Sequence, residues 1–206
     1  VLPTPAIAYL VRRYQMDAGV VISASHNSFE DNGIKFFGEN GYKLSDEIED
    51  EIENYIFNKL DDIPRANAEE IGFKESSQSA VKYYTEFLES CMEGMRLDGL
   101  NIALDCANGA TYKSAPIIMK RLGANIKVIN DKPNGLNINK NCGSTHMEGL
   151  QKFVIENKCD IGIAYDGDGD RCLVVDELGN ILDGDQIMSI CGNYLKKQGK
   201  LKKDTI

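Results

Sequence analysis

No run of about 18 uninterrupted apolar residues occurs in the 206-residue sequence, which excludes a membrane-spanning helix by the length such a helix needs. The N-terminus also lacks the charged-then-apolar order of a secretory leader, and it opens on Val1 rather than methionine, so further sequence is expected upstream. Basic side chains are in short supply, 23 against 32 acidic ones, for a net charge of −9. Phosphate backbones select clustered Lys and Arg, so nucleic acid is set aside as a main partner. A small anionic substrate is not, because a few placed cations and a metal hold one locally. Histidine is limited to His26 and His146, and the six cysteines contain no Cys-x-x-Cys pair, which disfavours a structural zinc site. Cys91, Cys106, Cys142, Cys159, Cys172 and Cys191 are read instead as reduced, core-sized hydrophobes of a cytoplasmic protein. Internal repeats and low-complexity tracts are missing too. A hydrophobic share of 42% with 27% charged residues fits a globular chain with one large or two modest cores.

Along the chain, Thr4-Pro5 is a helix-start signal and the helix runs on to Tyr14. Ala18 to Ser23 is a short β-branched run that reads as a buried strand, and Ile34 to Phe37 resumes strand character after the polar loop Ala24 to Gly33. A loop mounted between two strands is rigidly held. Ser45 is placed to cap a helix on which Ile48, Ile52, Ile56 and Leu60 form one apolar stripe. Asp61 to Ser79 is aperiodic and reads as the passage between two domains, followed by a helix over 80–95. From Leu100 the pattern alternates. Strands are expected at 100–104, 124–129, 160–164 and 172–175, and helices at 112–122, 147–158 and 184–197. That order implies an α/β domain with a parallel sheet and right-handed crossovers.

The run Asp166-Gly-Asp-Gly-Asp-Arg171 follows the strand ending at Ala164. Carboxylates at alternate positions, with glycines between, can turn toward one point, and an all-oxygen set suits Mg²⁺ or Ca²⁺. The carboxyl end of a strand is where open α/β sheets keep their ligands. An EF-hand calcium loop is the rival, with Asp166, Asp168 and Asp170 as its first ligands and Glu177 in the last position. Arg171 stands where that loop needs glycine, and Cys172 to Val175 read as strand where it needs helix. A metal-free acidic turn is the other rival, and it leaves three carboxylates repelling one another.

Val21-Ile-Ser-Ala-Ser-His-Asn27 supplies a possible nucleophile, Ser25, beside His26, with Lys35 ten residues on. Taken alone, Ser-His-Asn also describes an ordinary turn. A serine, a metal loop and a basic side chain together are the parts of a phosphoryl-transfer site. No Gly-x-Ser-x-Gly elbow surrounds Ser25, which disfavours a serine hydrolase.

At these residues the sequence resembles the α-D-phosphohexomutase family, nearest to its bacterial phosphoglucosamine mutase branch. The likeness spans nearly the whole chain. It rests on Ser23 to Asn27, Asp31 to Phe37, Asp105 to Thr111, Pro133 to Asn139, Gly143 to His146, Asp166 to Arg171 and Asp183 to Met188. One departure is Ser28, where many members have proline. The resemblance implies an α/β fold of two phosphohexomutase-type domains with mixed or parallel sheets flanked by helices, truncated at both ends. Residues 1–72 would be the later part of domain I, 73–180 domain II and 181–206 the opening of domain III. It further implies a phosphoserine at Ser25, Mg²⁺ held by Ser25, Asp166, Asp168 and Asp170, and Lys35, His26 and Arg171 as the remaining catalytic side chains. The implied substrate is a hexosamine phosphate, with mannose or glucose phosphates as the nearest alternative and a non-catalytic Ca²⁺ module as a distant one. The family's sugar-reading and phosphate-gripping loops are missing from this stretch, and no oligomeric state follows from it.

Overall fold

The structure, a computed structural model, describes residues 1–205. Helix α1 (Thr4–Tyr14) begins at the expected threonine and packs on a two-stranded antiparallel hairpin, β1 (Ala18–Ser23) and β2 (Gly33–Gly38). Gly19 makes that packing possible: a Cβ there would stand 2.4 Å from Val11 Cγ2. The hairpin is not buried on both faces, as the run of apolar residues suggests. Val21 faces α1, while Val20 and Ile22 on the other face are 50% and 73% exposed. The strand alternates because only one of its faces is covered by a helix.

Helix α2 (Asp46–Asn58) forms where expected, with its three first-turn acids at the positive end of the dipole. Ser45 takes the cap position without a side-chain bond to the helix backbone. No residue of α2 is buried: Ile48 and Ile56 of its stripe are exposed and Ile52 is half-buried. After the exposed segment 63–78, α3 (Ala80–Cys91) returns to α1, where Phe87 stacks on Tyr9 with ring centroids 4.3 Å apart.

The larger sheet is β3 (Asn101–Asp105), β4 (Asn125–Ile129), β5 (Ile161–Tyr165), β6 (Cys172–Asp176) and β7 (Ile181–Leu182), in the order β4-β3-β5-β6-β7. Helices α4 (Ser114–Arg121) and α5 (Glu148–Asn157) fill the crossovers. Central strand β3 is buried on both faces. Ile102 and Leu104 join Ala115 and Ala124 on the α4 side, and Ala103 joins Leu150, Val154 and Val175 on the α5 side. Burying one such leucine contributes about 1.5–3 kcal/mol. The sheet is mixed, not wholly parallel: β4, β3 and β5 run together, and β6 and β7 return antiparallel. The reason is the acidic loop, which is too short for a crossover and closes β5 onto β6 as a hairpin. Helix α6 (Gly184–Lys197) starts with a reciprocal capping box, in which Asp183 Oδ1 accepts from the Gln186 N–H and Gln186 Oε1 from the Asp183 N–H, both at 2.9 Å.

Among the described residues the cysteines are all free thiols; Cys106, Cys142 and Cys159 are buried, whereas Cys91, Cys172 and Cys191 are exposed. The core-hydrophobe reading therefore holds for three of them.

Candidate functional site

The carboxyl ends of the parallel strands carry three loops, and the loop between β1 and β2 seats itself on them. The first follows β3, where Asp105 is 1% exposed and ties the chain down through both oxygens. Its Oδ1 accepts from the Ala107 N–H at 2.9 Å and its Oδ2 from the Gly143 N–H at 3.0 Å. Ala107 and Asn108 both adopt positive φ, so that Gly109 meets Gly167 almost backbone to backbone. A Cβ on Gly109 would fall 2.3 Å from the Gly167 carbonyl oxygen, and the Ala110 N–H donates to that oxygen at 2.7 Å.

The second is the acidic loop, Asp166 to Arg171. One carboxylate oxygen from each of Asp166, Asp168 and Asp170 lies within 4.8 Å of the others, the first two buried and the third exposed. Asp168 Oδ2 is fully engaged: it accepts from Lys35 Nζ at 2.6 Å and from Thr4 Oγ1 at 2.5 Å. Thr4 adds its N–H to the Asp168 carbonyl at 2.8 Å. Lys35 Nζ also reaches Asp170 Oδ2 at 3.2 Å. Asp166 Oδ1 accepts from the Arg171 N–H at 3.1 Å. The remaining oxygens, Asp166 Oδ2 and Asp168 Oδ1, are buried and have no hydrogen-bond partner.

These contacts set the charges. Burial pushes the Asp166 carboxyl up to about 6, and the neighbouring carboxylates push in the same direction against its one bond to the Arg171 backbone. Burial works on Asp168 in that direction too, but the bonds from Lys35 and Thr4 prevail and hold it below the usual carboxylate value. Lys35 loses some hydration, yet Asp168 and Asp170 outweigh that and raise it above an ordinary lysine. Two orphaned oxygens, buried on a hard oxygen donor set, are what a divalent cation such as Mg²⁺ would satisfy, so the residues fit such an ion. The strand β6 that follows the loop, with Arg171 at its entrance, is not the EF-hand arrangement.

Ser25 meets this loop through its backbone. Its φ is +53, its N–H donates to Ser23 Oγ at 2.9 Å, and a Cβ on Gly167 would lie 2.4 Å from its carbonyl oxygen. Arg171 is exposed, with Nε 3.9 Å from Asp170 Oδ1. His26 is on the wall of a cavity of about 390 Å³ that it shares with His146, Asn139 and Lys140 and that none of the three aspartates lines. Lys35, the three aspartates and Arg171 are thus gathered, and the Ser25 turn is packed against them. Sequence reasoning took Thr4 as a helix start only and gave Asn139 no role; both act across long separations that no local pattern announces.

Residues 1–62 match the family model described as phosphoglucomutase/phosphomannomutase, alpha/beta/alpha domain I, and residues 82–179 match domain II of the same family. The chain belongs to the phosphoglucomutase/phosphomannomutase family. Curated relatives named phosphoglucosamine mutase include one from Clostridium novyi (strain NT), 57% identical over 206 residues, and one from Clostridium botulinum (strain Loch Maree / Type A3), 58% identical over 207. Each match takes in 100% of this chain and 46% of the relative, so the chain spans about half their length. Among solved structures, a phosphoglucomutase/phosphomannomutase family protein from Burkholderia thailandensis superposes with a TM-score of 0.74 at 24% identity, over 96% of this chain and 44% of that one. Aspergillus fumigatus N-acetylphosphoglucosamine mutase, solved in complex with GlcNAc-6P and magnesium, gives 0.61 at 21% identity over 97% and 53%. At these identities the likeness is one of fold. Family membership accords with the α/β fold and the phosphohexomutase resemblance expected from the sequence.

Proposed function

We propose that the chain is the serine-and-metal portion of a cytoplasmic phosphoglucosamine mutase, an isomerase that interconverts glucosamine 6-phosphate and glucosamine 1-phosphate. Residues 1–72 supply part of domain I, 73–180 domain II and 181–206 the opening of a third domain. The observation that carries this reading is the pair of buried, unpartnered oxygens on Asp166 and Asp168, on a loop packed against Ser25 and contacted by Lys35. The names of the relatives support the sugar class.

In this reading Ser25 carries a phosphoryl group. The bond from phosphorus to Ser25 Oγ breaks as a bond to the free sugar hydroxyl forms, giving a 1,6-bisphosphate; the sugar turns and returns its other phosphoryl group to Ser25. Lys35, held charged by two carboxylates, stabilises the transferring group and serves as the acid for the departing serine oxygen, and the proton that the attacking sugar hydroxyl releases restores it. Arg171 adds a second cation beside the carboxylates, and His26, on the nearby cavity wall, is the further proton-handling side chain. A magnesium ion held by Asp166, Asp168 and Asp170, with Ser25 as fourth ligand, would offset charge on the phosphoryl oxygens.

The test uses the whole protein at the length of its curated relatives, purified without phosphatase. Phosphopeptide mass spectrometry is expected to place phosphate on Ser25, and turnover is expected to be fastest with glucosamine phosphates. Phosphate reproducibly on another residue overturns the mechanism, and preference for mannose or glucose phosphates overturns the sugar assignment.

A further inference from the structure

Asn139 belongs to the loop that leaves β4, yet its side chain serves the serine loop more than a hundred residues away. Its Nδ2 donates to the carbonyl oxygens of Ser25 and Asn27, each at 2.8 Å. The residue is 6% exposed, and its Oδ1 is buried without a partner. An amide held so tightly by its nitrogen that its oxygen goes unsatisfied is placed there for its donors. Its own backbone is fixed at φ +57, with its N–H donating to the Ala107 carbonyl at 2.9 Å. Ser25 in turn sits in the left-handed region that residues other than glycine seldom occupy. Three contacts keep it there: Ser23 takes its N–H, Asn139 takes its carbonyl, and Gly167 packs against that same carbonyl with no room for a side chain.

We infer that Asn139 is a positioning residue for phosphoryl transfer: its amide locks the left-handed turn at Ser25 and so fixes the direction in which the serine side chain leaves the backbone beside the carboxylate loop. The inference rests on the reading of Ser25 given above. The residue type follows from the chemistry. Two carbonyls need two N–H donors from one point; a hydroxyl has one, and lysine or arginine would bring a charge into a buried position already close to the metal loop.

Three variants of the whole protein test this. Asn139→Asp faces two carbonyls with a carboxylate, Asn139→Gln keeps both donors one methylene farther out, and Asn137→Ala breaks the same loop's internal bonds to Lys132 and Asn134 without touching the serine loop. The readout is the single-turnover rate from pre-phosphorylated enzyme to sugar phosphate, with KM and the thermal midpoint measured alongside. For Asn139→Asp the rate is expected to fall on the order of 100-fold with KM little changed, the size of loss a misplaced reacting group brings. Asn139→Gln is expected to transfer faster than Asn139→Asp, and Asn137→Ala to lower the thermal midpoint while keeping the rate. Should Asn139→Asp not fold, Asn139→Ala takes its place. Wild-type rates in the Asn139 variants, or an equal loss in Asn137→Ala, overturn the positioning role. An unsubstituted protein without phosphate on Ser25 would instead sink the functional reading, and that is seen before any variant is compared.

Discussion

Lys35 Nζ stands 2.6 Å from Asp168 Oδ2, so a cation carried by the β1–β2 hairpin closes onto a carboxylate carried by the β5–β6 turn. The pair uses one oxygen of Asp168 and leaves the other, Oδ1, buried and open. Lysine and metal can therefore share this carboxylate without competing for the same atom.

That division predicts opposite effects on binding and turnover when the lysine is removed. With Lys35→Met, a positive charge is lost beside the carboxylates, so Mg²⁺ affinity by calorimetry is expected to hold or rise. Turnover of the whole protein is expected to fall by about 10²-fold or more, the usual range for a lost proton-transfer group. Simultaneous loss of metal binding would mean that Lys35 shapes the loop rather than serving the reaction.

Thr4 orients the same carboxylate from the other side. Thr4→Val preserves shape and the backbone bond to the Asp168 carbonyl but removes the hydroxyl. Partners of this kind behind a metal ligand are worth roughly 10- to 100-fold in metal affinity. Mg²⁺ affinity is expected to fall within that range and to recover in Thr4→Ser, which calorimetry on the three proteins would decide.

The acidic loop and the serine were legible in the sequence because their chemistry is local: alternate carboxylates separated by glycine, and a serine beside a histidine between two strands. Thr4 and Asn139 were not, since each acts on a residue more than a hundred positions away and looks, in its own neighbourhood, like a helix start or a turn. The antiparallel return of β6 is absent from the strand pattern, though the family resemblance allowed a mixed sheet, for a related reason. Strand pattern records burial, whereas direction is set by the length of the connection, here a tight loop. Burial of the outer hairpin face was overestimated because a run of apolar residues marks a segment without saying what covers each of its faces.

Gly109 tests how closely the two loops must approach. In Gly109→Ala the new methyl would lie 2.3 to 2.8 Å from three backbone atoms of Gly167, none of which can swing away as a side chain would. Overpacking of this kind costs about 1–3 kcal/mol, and the displaced Gly167 lies between two of the proposed metal ligands. Both the denaturation midpoint and Mg²⁺ affinity are expected to drop. Gly149→Ala, in α5 with nothing within 4 Å of the new Cβ, is expected to raise stability by up to about 1 kcal/mol. If the two alanines behaved alike, the contact with Gly167 would not be the cause.

Asp105 gives the fold its own pH dependence, apart from the metal loop. Burial raises its carboxyl above the usual value, and the bonds from Gly143, Ala107 and Asn130 only partly oppose that. The folded state therefore holds this proton more tightly than the unfolded chain does. Its contribution to stability is complete below the unfolded pKa and is lost as pH rises through the folded one. Asp105→Asn removes the titration and leaves one of two backbone donors, on Ala107 or Gly143, without its acceptor, at a cost of about 1–3 kcal/mol. The stability of the natural protein relative to Asp105→Asn is thus expected to increase as pH is lowered from neutrality toward the ordinary carboxylate range. Urea denaturation of both proteins across that range measures the difference directly. A difference independent of pH would mean that Asp105 titrates alike in the folded and unfolded chain, and that its two backbone bonds fully offset the loss of water around the charge.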